Sequence, residues 1–519
     1  MGRDMNWVKS LLLAGGASLA LTAGASAADL PTKKDQPPPE KPNCFATFWT
    51  WLDSTPKDCP LSAYGVTVYG TISAGGGWAA HTAPINGYST QGVPYLIQKF
   101  SRGPAWQEAP MALGGDGVGI KIKEALPFAT GWSIIGDLNY QFDTMTFTGI
   151  NGPESLIQNN GRYLIYQTNN GSSALNGQFD NGRGYFGLDN KTYGTLTAGR
   201  QTTFAGDAVG NYDPTGGAQA FSPIGYSSTY VKGFGITETS RYNTSIKYVL
   251  NYPVAANANF RVGAMGQVGG YAQWNASTGA FQVDVGGDYY GFSGDVIYAW
   301  AQNTFTLATY GSSLPAGVDP NTYLTATLAN VQGVLAVGKY NWNQWTVYGG
   351  YSYYVYSNPS NNYPGGLSDV VSTGYDVLPS GIKTPEQYYN NRVVQIGWGG
   401  LKYSVFNNLD LIGAGYVINQ NNYYSYESAG GKAENCGPNT SYGGPKTTEF
   451  PKGTYPLKGP ANGYCAGNIY AGSGLIDWRP WKRVDVFAGL MYSTWNGGFS
   501  SGALNTWNID PTAGIRISF

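Results

Sequence analysis

The stretch YGVTVYGTISA, residues 64–74, alternates two chemistries along one short run. Val66, Val68 and Ile72 share one parity; Thr67, Tyr69, Thr71 and Ser73 share the other. Successive side chains of a strand point to opposite faces, so this run predicts a β-strand with one oily and one polar side. The pattern recurs. Val118, Ile120 and Ile122 alternate with Gly119, Lys121 and Lys123. In RYNTSIKYVL, residues 241–250, Arg241, Asn243, Ser245 and Lys247 oppose Tyr242, Thr244, Ile246, Tyr248 and Leu250. One such run also fits a soluble sandwich, so the number and spacing of the runs decide.

About sixteen such strands run along the chain, each near the roughly ten-residue length that a tilted membrane strand needs. They are predicted at 63–74, 116–124, 131–142, 182–190, 193–201, 241–251, 258–270, 280–289, 290–303, 323–340, 345–356, 391–404, 409–420, 467–479, 483–495 and 507–519. Short connections carry turn residues, as at Leu188-Asp189-Asn190-Lys191, Asn341-Trp342-Asn343-Gln344, Phe406-Asn407-Asn408 and Arg479-Pro480-Trp481-Lys482. Long ones fall between them, at about 75–115, 143–181, 202–240, 304–322, 357–390 and 421–466. Short turns at one rim and long loops at the other are the asymmetry of an outer-membrane barrel, and a sandwich has no reason to keep it. The fold class expected is therefore all-β, a closed antiparallel transmembrane β-barrel.

Composition agrees. The chain has 75 Gly, 41 Tyr and 15 Trp, a mean hydropathy of −0.26 and only 12% charged residues. A large soluble α/β protein carries about 25% charge. Here polarity comes from Asn, Gln, Ser, Thr and Gly, which suit strands and turns. Arg3 and Lys9, the apolar run Leu11 to Leu21 and Ala25-Ser26-Ala27 read as a secretory signal over 1–27, cleaved before Ala28. Beyond it no apolar run is long enough for a spanning helix, which leaves a closed barrel as the spanning structure. Residues 28–62 form a Pro-rich extension with a cysteine-bounded loop, and 63–519 form the barrel.

A formal net charge of −1 lacks the basic excess of a nucleic-acid surface. The four cysteines Cys44, Cys59, Cys436 and Cys465 suit two disulfides in an oxidising compartment. Three pairings are possible; Cys44–Cys59 and Cys436–Cys465 are favoured because each brackets a single short segment. Their spacings are wide and His81 is the sole histidine, so neither metal nor cofactor is expected. Trp78, Trp132, Trp342, Trp345, Trp478, Trp481 and Trp495 cluster near run ends, as girdles at two membrane interfaces would. The chain closes on AGIRISF, with Ile515, Ile517 and Phe519 on alternate positions and an aromatic carboxyl-terminal residue.

These segments resemble the general bacterial porins, and the alphaproteobacterial branch in particular. The resemblance rests on GVGIKIKEALPFATGWSIIGDLNYQF from Gly117 to Phe142, GRGYFGLDNKTYGTLTAGRQ from Gly182 to Gln201, and SRYNTSIKY from Ser240 to Tyr248. Cys44 and Cys59 ahead of the first strand, and the terminal Phe519, agree with it. It implies a homotrimeric sixteen-stranded barrel in outer-membrane lipid, forming a water-filled channel for passive diffusion of small hydrophilic solutes and ions. It also implies a third loop that folds inward and narrows the lumen; by position that loop is Thr202 to Thr239.

The family sets acids on this loop against bases on the facing wall, and such a transverse field orients dipolar solutes. Arg200 and Arg241 match the family's basic positions, with Lys121 and Lys123 on the polar face of the second strand and Arg183 opening the fourth. Asp207 and Asp213 are the loop acids, with Glu238 near its return. Two further basic positions of the family are Thr71 and Gly117 here. Strict alternation groups Arg200 with Leu196 and Ala198, so either a bulge re-aims it or its strand lies at a subunit interface.

Two other function classes stand beside this one. Catalysis needs a placed base, and His81 sits in a Gly-rich loop with no nucleophile motif around it. A substrate-selective channel for sugars or carboxylates would line its lumen with aromatics, as the run Tyr348, Tyr351, Tyr353, Tyr354 and Tyr356 would if it faced inward.

Overall fold

The computed structural model describes residues 44–81, 103–109, 111–142, 144, 149–150, 174–175, 182–226, 231, 241–267, 279–302, 330–357, 390–423, 466–500 and 505–519. The signal segment, the Pro-rich run before Cys44, Glu238, Cys436 and Cys465 lie outside them.

Sixteen strands among these residues form one antiparallel meander. They are β1 Val66–Ala79, β2 Gly117–Ala125, β3 Trp132–Gln141, β4 Gly184–Asn190, β5 Gly194–Thr202, β6 Arg241–Ala255, β7 Ala258–Gln267 and β8 Ala280–Tyr289. Then follow β9 Phe292–Ala301, β10 Asn330–Trp342, β11 Trp345–Ser357, β12 Arg392–Phe406, β13 Leu409–Gln420, β14 Gly467–Trp481, β15 Val484–Gly497 and β16 Trp507–Ser518. Every predicted strand overlaps one of these. The sheet closes because β16 pairs with β1, from Thr71 opposite Ser518 to Gly77 opposite Thr512. Gly70 and Phe519 exchange both backbone hydrogen bonds at 2.9 Å, so the last residue is sewn into the closure. Closure leaves no backbone edge to meet lipid.

Tight turns join β6 to β7, β8 to β9, β10 to β11 and β12 to β13, all at one rim. Tyr290 and Gly291, between β8 and β9, have φ of 44° and 89°, the left-handed pair that a two-residue hairpin turn requires. The alternating pattern sorts the faces as expected. Val68, Ile72, Ile120, Ile122, Leu138, Ile246, Val283 and Val296 lie exposed on the outer side, where lipid replaces water.

Aromatics gather at the turn-side rim. Trp132 stacks with Tyr193 at 5.9 Å and Trp345 packs on Tyr403 at 4.4 Å; Trp342, Trp478 and Trp481 are exposed beside them. Trp495 departs from the girdle expectation. Its parity on β15 turns it to the other side, where it is buried against Phe499 at 6.3 Å. Clustering near a strand end locates the level of a ring but not its face.

The apolar core of this barrel surrounds the segment after β5. Thr203 caps helix α2, Phe204–Tyr212, accepting a hydrogen bond from Gly206 N at 3.0 Å; the short helix α3, Pro223–Tyr226, follows. Phe204, Ala205, Val209, Tyr212, Phe221 and Ile224 are all buried. Three wall glycines receive this segment, each on the inner parity of its strand. A Cβ on Gly263 of β7 would stand 2.4 Å from the Phe204 ring, one on Gly400 of β12 2.5 Å from Pro214, and one on Gly489 of β15 2.7 Å from Phe221. Bare backbone at these points lets the segment lie flush against the wall.

Candidate pore site

Residues 202–226 touch strands far apart around the sheet. Ala205 N donates to Gln282 of β8 at 3.1 Å, and Lys339 of β10 donates to the Asn211 carbonyl at 3.2 Å. Trp398 of β12 donates its indole N–H to the Tyr212 carbonyl at 3.1 Å. Tyr416 of β13 donates to Asp213 at 2.6 Å, and Phe221 meets Phe487 of β15 edge to face at 6.3 Å. The fixing contacts are thus spread over hydrogen bonds and ring packing, each worth only about a kcal/mol alone.

Asp213 is the most buried acid of this segment, at 1% exposure. It also accepts from Thr215 Oγ1 at 2.8 Å and from Gly217 N at 2.9 Å. Burial pushes its carboxyl above the ordinary value, against hydrogen bonds from Tyr416, Thr215, Ser222 and Gly217 that pull it down. Its two oxygens serve as a knot holding the segment's turn.

Asp207 sits differently, half exposed on α2. Lys247 of β6 pairs with it at 2.7 Å, donates to the Thr202 carbonyl at 2.9 Å and stands over the Phe204 ring at 4.5 Å. Arg183 lies 3.3 Å from the buried carboxylate of Asp137 and donates to Tyr69 Oη at 3.0 Å. Arg200 adjoins Arg183, its Nε donating to the carbonyl of the preceding Gly182 at 3.1 Å. Arg183, Arg241, Lys247 and Asp207 line a cavity of about 550 Å³ beside α2. The sequence-predicted Arg183, Arg200, Arg241 and Asp207 therefore meet in one place.

The bulge alternative for Arg200 matches the register found. Tyr242 pairs with Gln201 and Ser245 with Gly199, so residues 243 and 244 lie opposite Arg200 alone. Gly199 has φ of +134° and Thr244 φ of 44°, and strict alternation stops here.

Lys121 adjoins that cluster through Tyr69, the ring whose hydroxyl Arg183 reaches, and Lys123 lies further off. Lys121 lies over the Tyr69 ring at 4.4 Å. Lys123, near the turn-side rim, pairs with Asp189 at 2.8 Å and is 67% exposed. Asp213, as described, faces the wall of β13 rather than the cavity.

The neighbouring sector of the cavity's lining was not singled out from sequence. Arg261 of β7 pairs with Asp295 of β9, lies 3.7 Å from Asp284 of β8 and 3.9 Å from Asp288 at its rim end. These residues share the polar parity of three neighbouring strands, a signal present in the sequence but assembled only by the register. Lys247 was on the polar face of RYNTSIKYVL and carried the same signal. The tyrosine run divides between faces: Tyr351 and Tyr353 are exposed on the outer parity, and Tyr354 and Tyr356 are buried on the other. His81 donates its backbone N–H to Asn508 at 3.0 Å and packs on Trp507.

The family model of Gram-negative porins matches residues 15–449. The chain belongs to the Gram-negative porins. As a porin it forms an outer-membrane channel for passive diffusion, its barrel crossing the membrane many times. A comparison with curated proteins found no match. Among solved structures, the anion-selective porin from Comamonas acidovorans shares the fold at a TM-score of 0.51 and 11% identity, over 88% of this chain and 99% of that one. OmpT expressed in the outer membrane of Vibrio cholerae matches at 0.47 and 11% identity, over 89% and 100%. Salmonella typhi OmpF in complex with daunomycin matches at 0.44 and 13%, over 88% and 97%.

Proposed function

We propose that this porin is a general diffusion channel whose narrowest point lies where residues 202–226 stand against the basic wall of β4 to β6. The segment is then the inward-folded third loop. The observation that carries this reading is the Lys247–Asp207 pair at 2.7 Å, beside a cavity that Arg183 and Arg241 also line. Arg183, Arg200, Arg241 and Lys247 supply the positive side of a transverse field, and Asp284, Asp288 and Asp295 the negative side. Lys121 and Lys123 act further toward the turn-side mouth, and Asp213 holds the loop rather than facing solutes. Residues 1–27 direct export, as their basic start and apolar run indicate, and three copies assemble in the membrane, as the family resemblance implies.

A substrate-selective channel is the second reading, and the division of the tyrosine run between two faces weighs against an aromatic slide. Catalysis has little support, because His81 is engaged with Asn508 and Trp507. Liposome swelling with neutral sugars of increasing size tests the proposal. Rates that fall smoothly with size and never saturate are expected. Saturable uptake of one sugar, or competition between two, would replace general diffusion with a selective site.

A further inference from the structure

The cysteine-bounded segment ahead of β1 is joined by a disulfide between Cys44 and Cys59 and carries the short helix α1, Phe48–Leu52. It is bolted to the turn between β14 and β15. Arg483, 1% exposed, donates to the carbonyls of Trp51 at 2.9 Å, Cys59 at 2.6 Å and Thr55 at 3.2 Å, and its guanidinium covers the Trp51 ring at 4.6 Å. Arg483 N also donates to the Leu52 carbonyl at 3.2 Å. Such a desolvated cation with several carbonyl partners fixes the segment rigidly on the barrel.

Its side of the wall follows from parity. Leu490 and Tyr492 of β15 are exposed on the lipid side, and Val484 shares their parity yet is 3% exposed. The segment bonded to Arg483 therefore stands over the outer face at the turn-side rim. From that position Phe45, Phe48 and Trp49 project with 62%, 62% and 61% exposure. Trp49 packs on Trp481 at 5.5 Å, and Trp481 and Trp478 belong to the exposed aromatics of that rim. Exposing this much ring surface to water is unfavourable, whereas the boundary level of a bilayer suits aromatic rings.

We infer that this disulfide-closed knob is a lipid anchor, extending the aromatic girdle and seating Phe45, Phe48 and Trp49 in the headgroup–acyl boundary of the leaflet at the turn-side rim. Continuity with the girdle through Trp49 and Trp481 selects lipid as the occupant.

The test uses the full-length mature porin labelled with 5-fluorotryptophan in lipid nanodiscs. The Trp49 fluorine resonance is assigned by its loss in Trp49→Phe. A lipid carrying a nitroxide high on its acyl chain is expected to broaden this resonance several-fold more than an aqueous gadolinium chelate. Broadening mainly by gadolinium would place the knob in water, and protection from both would place it under another protein copy; either overturns the inference. Arg483→Gln, checked for a folded barrel by circular dichroism, is expected to abolish the preference for the lipid relaxant. A preference unchanged in that variant would overturn the clamp's part in it.

Discussion

Two sectors of the same wall, one turn of the meander apart, hold opposite balances of charge. Across β4 to β6, Arg183, Arg200, Arg241 and Lys247 stand with Asp137 and Asp207. Across β7 to β9, Arg261 alone stands with Asp284, Asp288 and Asp295. Both line one cavity beside α2. On the proposed reading, the channel's field follows not the overall charge of −1 but which cations are matched by near carboxylates. A low-dielectric wall lets such a local imbalance act across the gap.

The largest effect is expected from the acidic sector. Arg261→Gln leaves Asp284 and Asp295, both under 9% exposed, without their cation. It should cost about 3 kcal/mol in denaturant unfolding of the folded barrel. A loss below about 1 kcal/mol would mean that lumen water screens the group as it does a surface pair. Next, Gly263→Val pushes on the Phe204 ring and moves the loop relative to both sectors. A loss of about 2 kcal/mol is expected, with a changed single-channel conductance. Stability lost at constant conductance would detach the loop from the narrowest point.

A smaller, pH-dependent effect belongs to Asp213. Folding raises its affinity for a proton, so the folded chain binds more protons than the unfolded one above the ordinary carboxyl value of 3.8. Its contribution is therefore most favourable in acid and declines as pH rises from that value through the folded-state one. Asp213→Asn should flatten this part of the unfolding profile, and an unaltered slope would assign it to other carboxyls. The smallest effect is expected from Lys123→Ala, outside both sectors: under about 1 kcal/mol, with reversal potential unchanged.

The barrel was legible in sequence because period-two alternation runs through most of the strands and turn residues separate them. Only the ends differ: β1 runs to Ala79 and β6 to Ala255, past the alternating cores that mark them. The site was half legible. Arg183 and Arg241 stood in segments that resemble a family's, and Asp207 on the loop between them. Arg261, Asp284 and Asp295 lie far apart in sequence, and only strand register brings them together. Arg200 violated alternation, and the two-against-one register opposite it is the physical reason that simple parity failed. Trp495 erred the other way, since a ring near a strand end can face either side.

Reversal potential across a salt gradient, measured on single channels in planar bilayers, tests the two-sector account most directly. Arg241→Ala should shift it toward cations relative to the unaltered porin, while Asp284→Asn shifts it toward anions. Equal reversal potentials in all three proteins would contradict the account.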